Sequence, residues 1–478
     1  MFARPILALL LLLTPAIAIV DPNNLGQWTK PTEIGPDKDV PGFLVNLGPT
    51  GARAILKEQS FIVKHVFADS PAHDLLRIDD EITGANGKLF SKHTFGKFYG
   101  MEYQIGYEGP IMDLGNAIEE SEGADGMLKL NVIRDDESII IPVALAPIGR
   151  FSETYPANCT KSVKLAANAT RYLLENTDEH TPIIHEQAKV GLAMLAAGKM
   201  TEATKLAETW IELPDEKLWT WHPTYRCIFL SEYFLKTGDE RVLPTIKELT
   251  RRLYLAQVVD PDLYKDRMHG GKPQAENFLK GGIGHGHRIA GYGTMTYSTL
   301  MAMLSWELAE QCGIEIDQTH VDLAYDCIHH HTHESGYMGY RFATGAYTPV
   351  GRQGLSVIVH RLAPDRDRGN HLERVTNHLA KSRTRLNDGH GDNVQAVFWA
   401  LLGIQMSGNE DAIRAMFDYN KAFLNMARTH DGGFVVQPGR NAAEKAYYLS
   451  PRIHSTAAMA IVLNAAANPQ LRIQGNTN

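Results

Sequence analysis

Val394-Gln395-Ala396-Val397-Phe398-Trp399-Ala400 opens a long apolar helix, and some forty residues on comes Asp431-Gly432-Gly433-Phe434, the end of the stretch Phe423-Leu424-Asn425-Met426-Ala427-Arg428-Thr429-His430-Asp431-Gly432-Gly433-Phe434. The same sequence of events surrounds this stretch. Tyr297-Ser298-Thr299-Leu300-Met301-Ala302 opens a helix that is followed, again some forty residues later, by Glu334-Ser335-Gly336-Tyr337, and His454-Ser455-Thr456-Ala457-Ala458-Met459-Ala460 starts another. Gly-rich loops recur at Gly281-Gly282-Ile283-Gly284, Gly336, Asp388-Gly389-His390-Gly391 and Gly432-Gly433, about 43 to 53 residues apart. A unit of that length holds a helical hairpin but cannot bury its own apolar face, so the units must stack or close on one another.

Upstream of Gly149 the texture changes. Short β-branched runs such as Phe61-Ile62-Val63-Lys64-His65-Val66, Leu128 to Ile133 and Ser138 to Val143 alternate with Gly, Pro and Asp turns. Ala/Leu-rich amphipathic segments such as Gln187 to Ala197 and Tyr225 to Lys236 dominate after it. The expected organisation is a signal peptide over 1–18, a linker over 19–34, an α+β domain over 35–148, a linker over 149–160, an all-α domain of repeated helical hairpins over 161–470 and a tail over 471–478.

The first domain resembles a bacterial PDZ domain. Val63 to Ala72, with its Ser70-Pro71-Ala72 helix start, then Leu75 to Ile82, the Asn86-Gly87 turn, a helix over Leu114 to Glu120 and closing strands around Leu128 to Ile133 and Ile139 to Val143 follow one another as in that family. The resemblance implies capture of a peptide or protein C-terminus by strand addition, with backbone N–H groups of Leu47, Gly48, Thr50 and Gly51 holding the carboxylate. Pro49 departs from the pattern because it has no N–H to give, as does an insertion from Lys88 to Pro110. The second domain resembles the α/α toroid of terpenoid cyclases and protein prenyltransferases. Phe423 to Phe434 is similar to that superfamily's "F-L-x3-Q-x-x-D-G-G-F" segment, with Arg428 in place of Gln, and Gly281 to Met303 is similar to its glycine loop and following helix. The combination of signal peptide, PDZ-like domain and toroid resembles an uncharacterised family of secreted bacterial proteins.

Three activities of the superfamily are disfavoured: class II terpene cyclisation needs an Asp-x-Asp-Asp acid, which is absent, and the zinc sites of prenyltransferases and lanthionine cyclases use Asp-x-Cys or Cys-His patterns, neither of which occurs. The loops leading to the inner helices are instead cationic and rich in Tyr and His. His285, His287, Arg288, Tyr292 and Tyr297 lie in one, Tyr340, Arg341 and Arg352 in the next, and Arg440, Arg452 and His454 in the last, nearly free of acids. In toroids resembling this one such loops face a central cavity. Guanidinium groups suit carboxylate, sulfate or phosphate, while His and Tyr move protons. The catalytic candidates are therefore His285, His287, Tyr292, His390 and His454. The ligand-binding candidates are Arg288, Tyr297, Tyr340, Arg341, Arg352, Asp392, Arg440 and Arg452, with the PDZ-like loop residues above.

Two functions are open: a peptide- or protein-binding module joined to a ligand-binding or scaffold toroid, or a polysaccharide lyase-like enzyme acting on an anionic glycan. The formal charge of −8, from 47 Lys+Arg against 55 Asp+Glu, excludes a dedicated nucleic-acid binder. Arg4, the apolar run Pro5 to Leu13 and small residues at Ala16 and Ala18 read as a cleaved signal peptide, too short in its apolar core to span a bilayer, so the chain is expected to be secreted or periplasmic with no membrane span after cleavage. Cys159, Cys227, Cys312 and Cys327 read as buried free thiols rather than a disulfide framework, a single bridge being compatible with the even count. No cofactor and no metal is expected. His329 and His333, four apart in His329-His330-His331-Thr332-His333, invite a metal reading, but a solvated helix end is the stronger one.

Overall fold

The structure of the protein, a computed structural model, describes residues 43–98, 101–104, 106–176, 184–212, 220–266, 268–269, 272–273, 277–285, 293–342, 350–387, 393–436 and 452–476. The signal-peptide segment lies outside them. The chain begins with an antiparallel sheet in the order β1 (Phe43–Asn46), β2 (Ala52–Leu56), β3 (Phe61–Val66), β4 (Glu81–Ala85), β8 (Met127–Arg134), β9 (Glu137–Ala144), with the two-residue β5 (Lys88–Leu89) hairpinned onto β4. Asn86 and Gly87 make that hairpin with φ of 51° and 76°, the pair of positive angles that a type I′ turn demands. Leu128, Leu130 and Val132 alternate inward along β8 and meet Ile111, Leu114 and Ile118 of helix α1 (Pro110–Glu122), which closes the core of this layer. The insertion after Lys88 supplies β5 and a separate hairpin, β6 (Phe95–Phe98) with β7 (Met101–Gln104).

The rest is mostly helical. Six helices form a ring: α3 (Ile184–Ala196), α5 (Trp221–Thr237), α7 (Thr296–Gln311), α9 (Gly351–Leu362), α11 (Asn393–Met406) and α13 (Arg452–Ala467), each packed on the next and α13 back on α3. Outside them, α2 (Thr160–Asn176), α4 (Met200–Thr209), α6 (Leu243–Ala256), α8 (Gln318–His331), α10 (His371–Lys381) and α12 (Glu410–Ala427) alternate with the inner helices along the chain. The residue pattern follows position. Inner α13 is buried without a break from Ile453 to Leu463, whereas outer α8 buries only Val321, Ala324, Tyr325, Cys327 and Ile328 on one stripe. Two of the recurring glycines do the same job in successive units. Gly281 (φ 86°) and Gly336 (φ 83°) sit so close to the outer helix that follows that a Cβ would lie 1.9 Å from the Leu323 carbonyl oxygen and 2.1 Å from that of Arg374. All four cysteines are buried and free. No helix among the described residues is long and apolar enough to cross a membrane.

The sheet layer is fixed to the ring through α1 and α12. Gly115 brings the two helices together, since a Cβ there would lie 2.5 Å from the Ala422 carbonyl oxygen, and Tyr107 stacks on Phe423 with centroids 4.6 Å apart. Beside this contact is a buried ionic knot. Arg428 donates to both Glu122 oxygens at 2.7 Å, Lys161 donates to Glu122 at 2.9 Å and pairs with Glu119, and Asn425 donates to Glu119 at 2.9 Å. Burial pushes the Glu122 carboxyl up, but the Arg428 bonds and charge, with Lys161, outweigh it and hold the group below its ordinary 4.5. Asn46 adds two 2.7 Å bonds to the carbonyls of Met426 and Arg428.

Candidate functional site

At one end of the ring, polar side chains from the first turns of the inner helices and the strand-like loop before α7 meet in the interior. Helices buried on all sides leave no solvated face for a polar residue, so those near their starts point at each other. Lys189 of α3 is fully buried, its ammonium 4.2 Å from the centroid of the Tyr225 ring and 5.6 Å from that of Phe398. It donates to the Tyr225 hydroxyl at 3.2 Å, Trp399 donates to the same oxygen at 3.3 Å, and Tyr225 in turn donates to Gln395 of α11. Tyr297 of α7 reaches the Gln395 side chain at 3.4 Å and lies 5.5 Å, centroid to centroid, from Trp221 of α5. Trp221 donates to His285 Nδ1 at 3.0 Å, which assigns the ring proton of a neutral His285 to Nε2.

A pair of imidazoles flanks this chain. His185 lies 5.7 Å from the Tyr225 ring and 5.6 Å from His454, and His454 Nδ1 is 3.9 Å from a Glu186 oxygen. Burial holds both histidines well below 6.5, and the Lys189 charge lowers them further. Both are neutral at pH 7 and able to accept a proton. The set brings one buried cation, two neutral imidazoles, two phenols and the Trp221–Tyr297 pair together with the buried Glu186 carboxylate, so that proton donors and acceptors lie side by side.

Of the residues expected from sequence, Tyr297, His285 and His454 come together here. Arg352 is buried, donates to the Met338 carbonyl at 3.4 Å and lies over the half-buried Tyr340 ring at 5.2 Å, while Arg341 is exposed. Arg452 is committed to Asp431 at 2.6 Å and lies over Phe67 of the sheet layer and Tyr172 of α2, 5.8 and 5.4 Å from their centroids. Leu47, Gly48, Thr50 and Gly51 are all buried, with Gly48 against Ile118 and the Asn425 carbonyl. Both sides of β2 are paired, one with β1 and the other with β3. His287, Arg288, Tyr292, His390, Asp392 and Arg440 lie outside the described residues. Sequence reading passed over His185, Lys189, Tyr225 and Gln395. They lie in different helices with no shared motif, His185 and Lys189 together in the stretch His185-Glu186-Gln187-Ala188-Lys189, and the one available signal was polar side chains at the start of helices that are buried along their length.

An antiparallel sheet layer docked on a closed ring of helical hairpins, with a cluster of buried polar side chains at the ring axis, defines the class of protein. Within that class, residues 162–475 match a family model described as "Domain of unknown function (DUF6288)", and the chain belongs to that family. No curated protein matches. Among solved structures, the chain is similar to a possible member of GH105 family from Klebsiella pneumoniae subsp. pneumoniae (13% identity, TM-score 0.41, 67% of this chain and 96% of that one). It is also similar to the Lin0763 protein from Listeria innocua (13%, 0.43, 64% and 96%). A third likeness is to a possible member of GH105 family from Salmonella enterica subsp. enterica serovar Paratyphi A (12%, 0.42, 67% and 97%). The ring closure described above, rather than these likenesses, defines the architecture.

Proposed function

We propose that the helical domain is a carbohydrate-active catalytic domain that cleaves an anionic glycan at the polar cluster on the ring axis, and that the PDZ-like layer is a docking accessory fixed to it. The observation that carries this reading is the unbroken chain of contacts from Lys189 through Tyr225 and Gln395 to Tyr297 and Trp221, flanked by the neutral His185–His454 pair. In a β-elimination the Lys189 ammonium would neutralise a uronate carboxylate and so acidify the neighbouring C–H. A neutral histidine takes that proton, the C–H electron pair forms the C=C bond as the C–O bond breaks, and the Tyr225 hydroxyl gives a proton to the leaving oxygen. Trp221 and Tyr297 hold the sugar ring. Such a substrate would be met outside the cytoplasm, where the signal-peptide-like residues 1–18 lead one to expect the chain.

The PDZ-like layer in this reading presents its outer strand rather than β2. The sheet ends at β9, where Ile140 is 67% exposed, and a peptide C-terminal segment would add there. The test is an absorbance screen of the purified protein against uronic and sulfated polysaccharides, with C-terminal peptides included in a thermal-shift arm. New absorbance from unsaturated uronate, abolished in His454→Gln and Tyr225→Phe proteins of unchanged melting temperature, supports the lyase. Peptide stabilisation without any glycan response replaces it with a binding module on a scaffold.

A further inference from the structure

Where α8 and α9 end and α10 begins, His329 of α8, His360 of α9 and His371 of α10 converge, with one ligand-capable atom from each lying within 4.8 Å of the others. The ring centroids are 5.1, 4.8 and 4.2 Å apart for the pairs 329–360, 329–371 and 360–371. We infer that these three imidazoles form a binding site for a divalent transition-metal ion of the zinc type.

The tautomers point the same way. His360 Nδ1 lies 2.8 Å from the Ser356 carbonyl oxygen, which can only accept, so Nδ1 carries the proton and Nε2 has its lone pair available. That Nε2 faces His329 Nε2 at 2.9 Å. His371 Nε2 lies 2.9 Å from the Ser356 hydroxyl; when Nε2 donates to it, Nδ1 becomes the available lone pair. A backbone carbonyl or hydroxyl behind the non-ligating nitrogen is the outer-shell arrangement that orients metal-binding histidines. The Nδ1 atom of His371 is buried with no hydrogen-bond partner among the described residues, and a buried polar atom without a partner calls for an explanation such as a bound ion.

The distances fit after small ring rotations. Zinc–nitrogen bonds of about 2.0–2.1 Å place tetrahedral ligand nitrogens about 3.4 Å apart, between the 2.9 Å and 4.8 Å found here. Burial keeps His360 and His371 neutral, the state a ligand needs. His329 also lines a surface groove of about 670 Å³ with Asp326, Cys327, His330, His331 and Arg368, which gives an ion a route in. The expected solvated helix end therefore describes His333, which is exposed and contacts Ser335 at 2.9 Å, but not His329, which turns inward.

The experiment is calorimetric titration of chelator-treated full-length protein with Zn2+, with Co2+ as a spectroscopic probe. Binding of one equivalent, visible Co2+ bands of tetrahedral intensity and a raised melting temperature are expected. His329→Gln, at the groove edge, should weaken binding by more than the roughly 10–100-fold typical of outer-shell changes, and Ser356→Ala should weaken it within that range. His371→Asn tests the third ligand; should it fail to fold, the first two variants still decide. Absence of stoichiometric binding overturns the site, and so does unchanged affinity in His329→Gln, which would place the ion on other histidines.

Discussion

At the seam between the two layers, Glu122 takes two 2.7 Å bonds from Arg428 and one of 2.9 Å from Lys161, so that opposite charges meet directly in a dry place. At the ring axis the equally buried Lys189 ammonium is set against a phenol and two aromatic faces, with two imidazoles nearby that its charge helps keep neutral. Both regions bury charge, and both draw residues from distant parts of the chain. The seam matches its charges pair by pair, which fixes one domain on the other. The axis gathers proton donors, acceptors and ring faces around a buried cation, with the Glu186 carboxylate beside His454. The seam should thus answer to mutation chiefly in stability, and the axis chiefly in activity.

The largest effect is expected from Arg428→Ala. It leaves Glu122 buried with half its partners, and breaking a buried pair in this way costs about 3–5 kcal/mol, read as a lower urea midpoint. Replacing Arg428 and Glu122 together by methionine should recover most of that loss, because no uncompensated charge remains. A cost below about 1 kcal/mol for Arg428→Ala, the range of an exposed pair, would break the comparison. Asn46→Ala comes next. It strips the carbonyls of Met426 and Arg428 of their 2.7 Å donor, and about 1–3 kcal/mol should be lost in the same assay.

Acid separates the two regions in a different way. His185 and His454 stay neutral in the folded chain well below 6.5, whereas in the unfolded chain they protonate near 6.5. Their contribution is therefore intact above pH 6.5 and is lost as pH falls below it, by up to about 1.4 kcal/mol per pH unit for each group. Glu122, held below 4.5, keeps its stabilising effect above that value and loses it as pH falls through its folded pKa. Urea midpoints across this range should show the histidine limb first, and His454→Gln should make that limb shallower while leaving the carboxylate limb in place. An unchanged slope in His454→Gln would mean that the pair titrates in the folded protein.

The two regions were unequally legible in the sequence. The repeating hairpins could be read because each unit carries its own punctuation: Gly281 and Gly336 are required by positive φ and by close approach to an outer helix, whatever the rest of the chain does. Arg428 was visible as a departure from the toroid segment it sits in, and its reason is Glu122, 306 residues away, which no local pattern can show. Arg452, expected at the cavity, is instead paired with Asp431 and lies over Phe67 and Tyr172, because the sheet layer packs over that loop. The axial set was the least legible. Lys189, Tyr225 and Gln395 share no spacing, and closure of the ring alone makes them neighbours.

Lys189→Met is the smallest expected change in stability and the sharpest test of the difference. Met is unbranched and of similar length, its sulfur packs well against aromatic rings, and Tyr225 and Phe398 already line the path of the lysine stem. The exchange removes the cost of keeping a charge out of water while conserving volume, so the melting temperature should stay level or rise slightly. The Tyr225 hydroxyl keeps Trp399 as a donor and Gln395 as an acceptor, so the surrounding bonds have no reason to rearrange. Loss of glycan turnover or ligand binding in a protein this well folded would place the function at the axis. A fall of several degrees would instead make Lys189 a structural cation like Lys161, and the contrast between seam and axis would disappear.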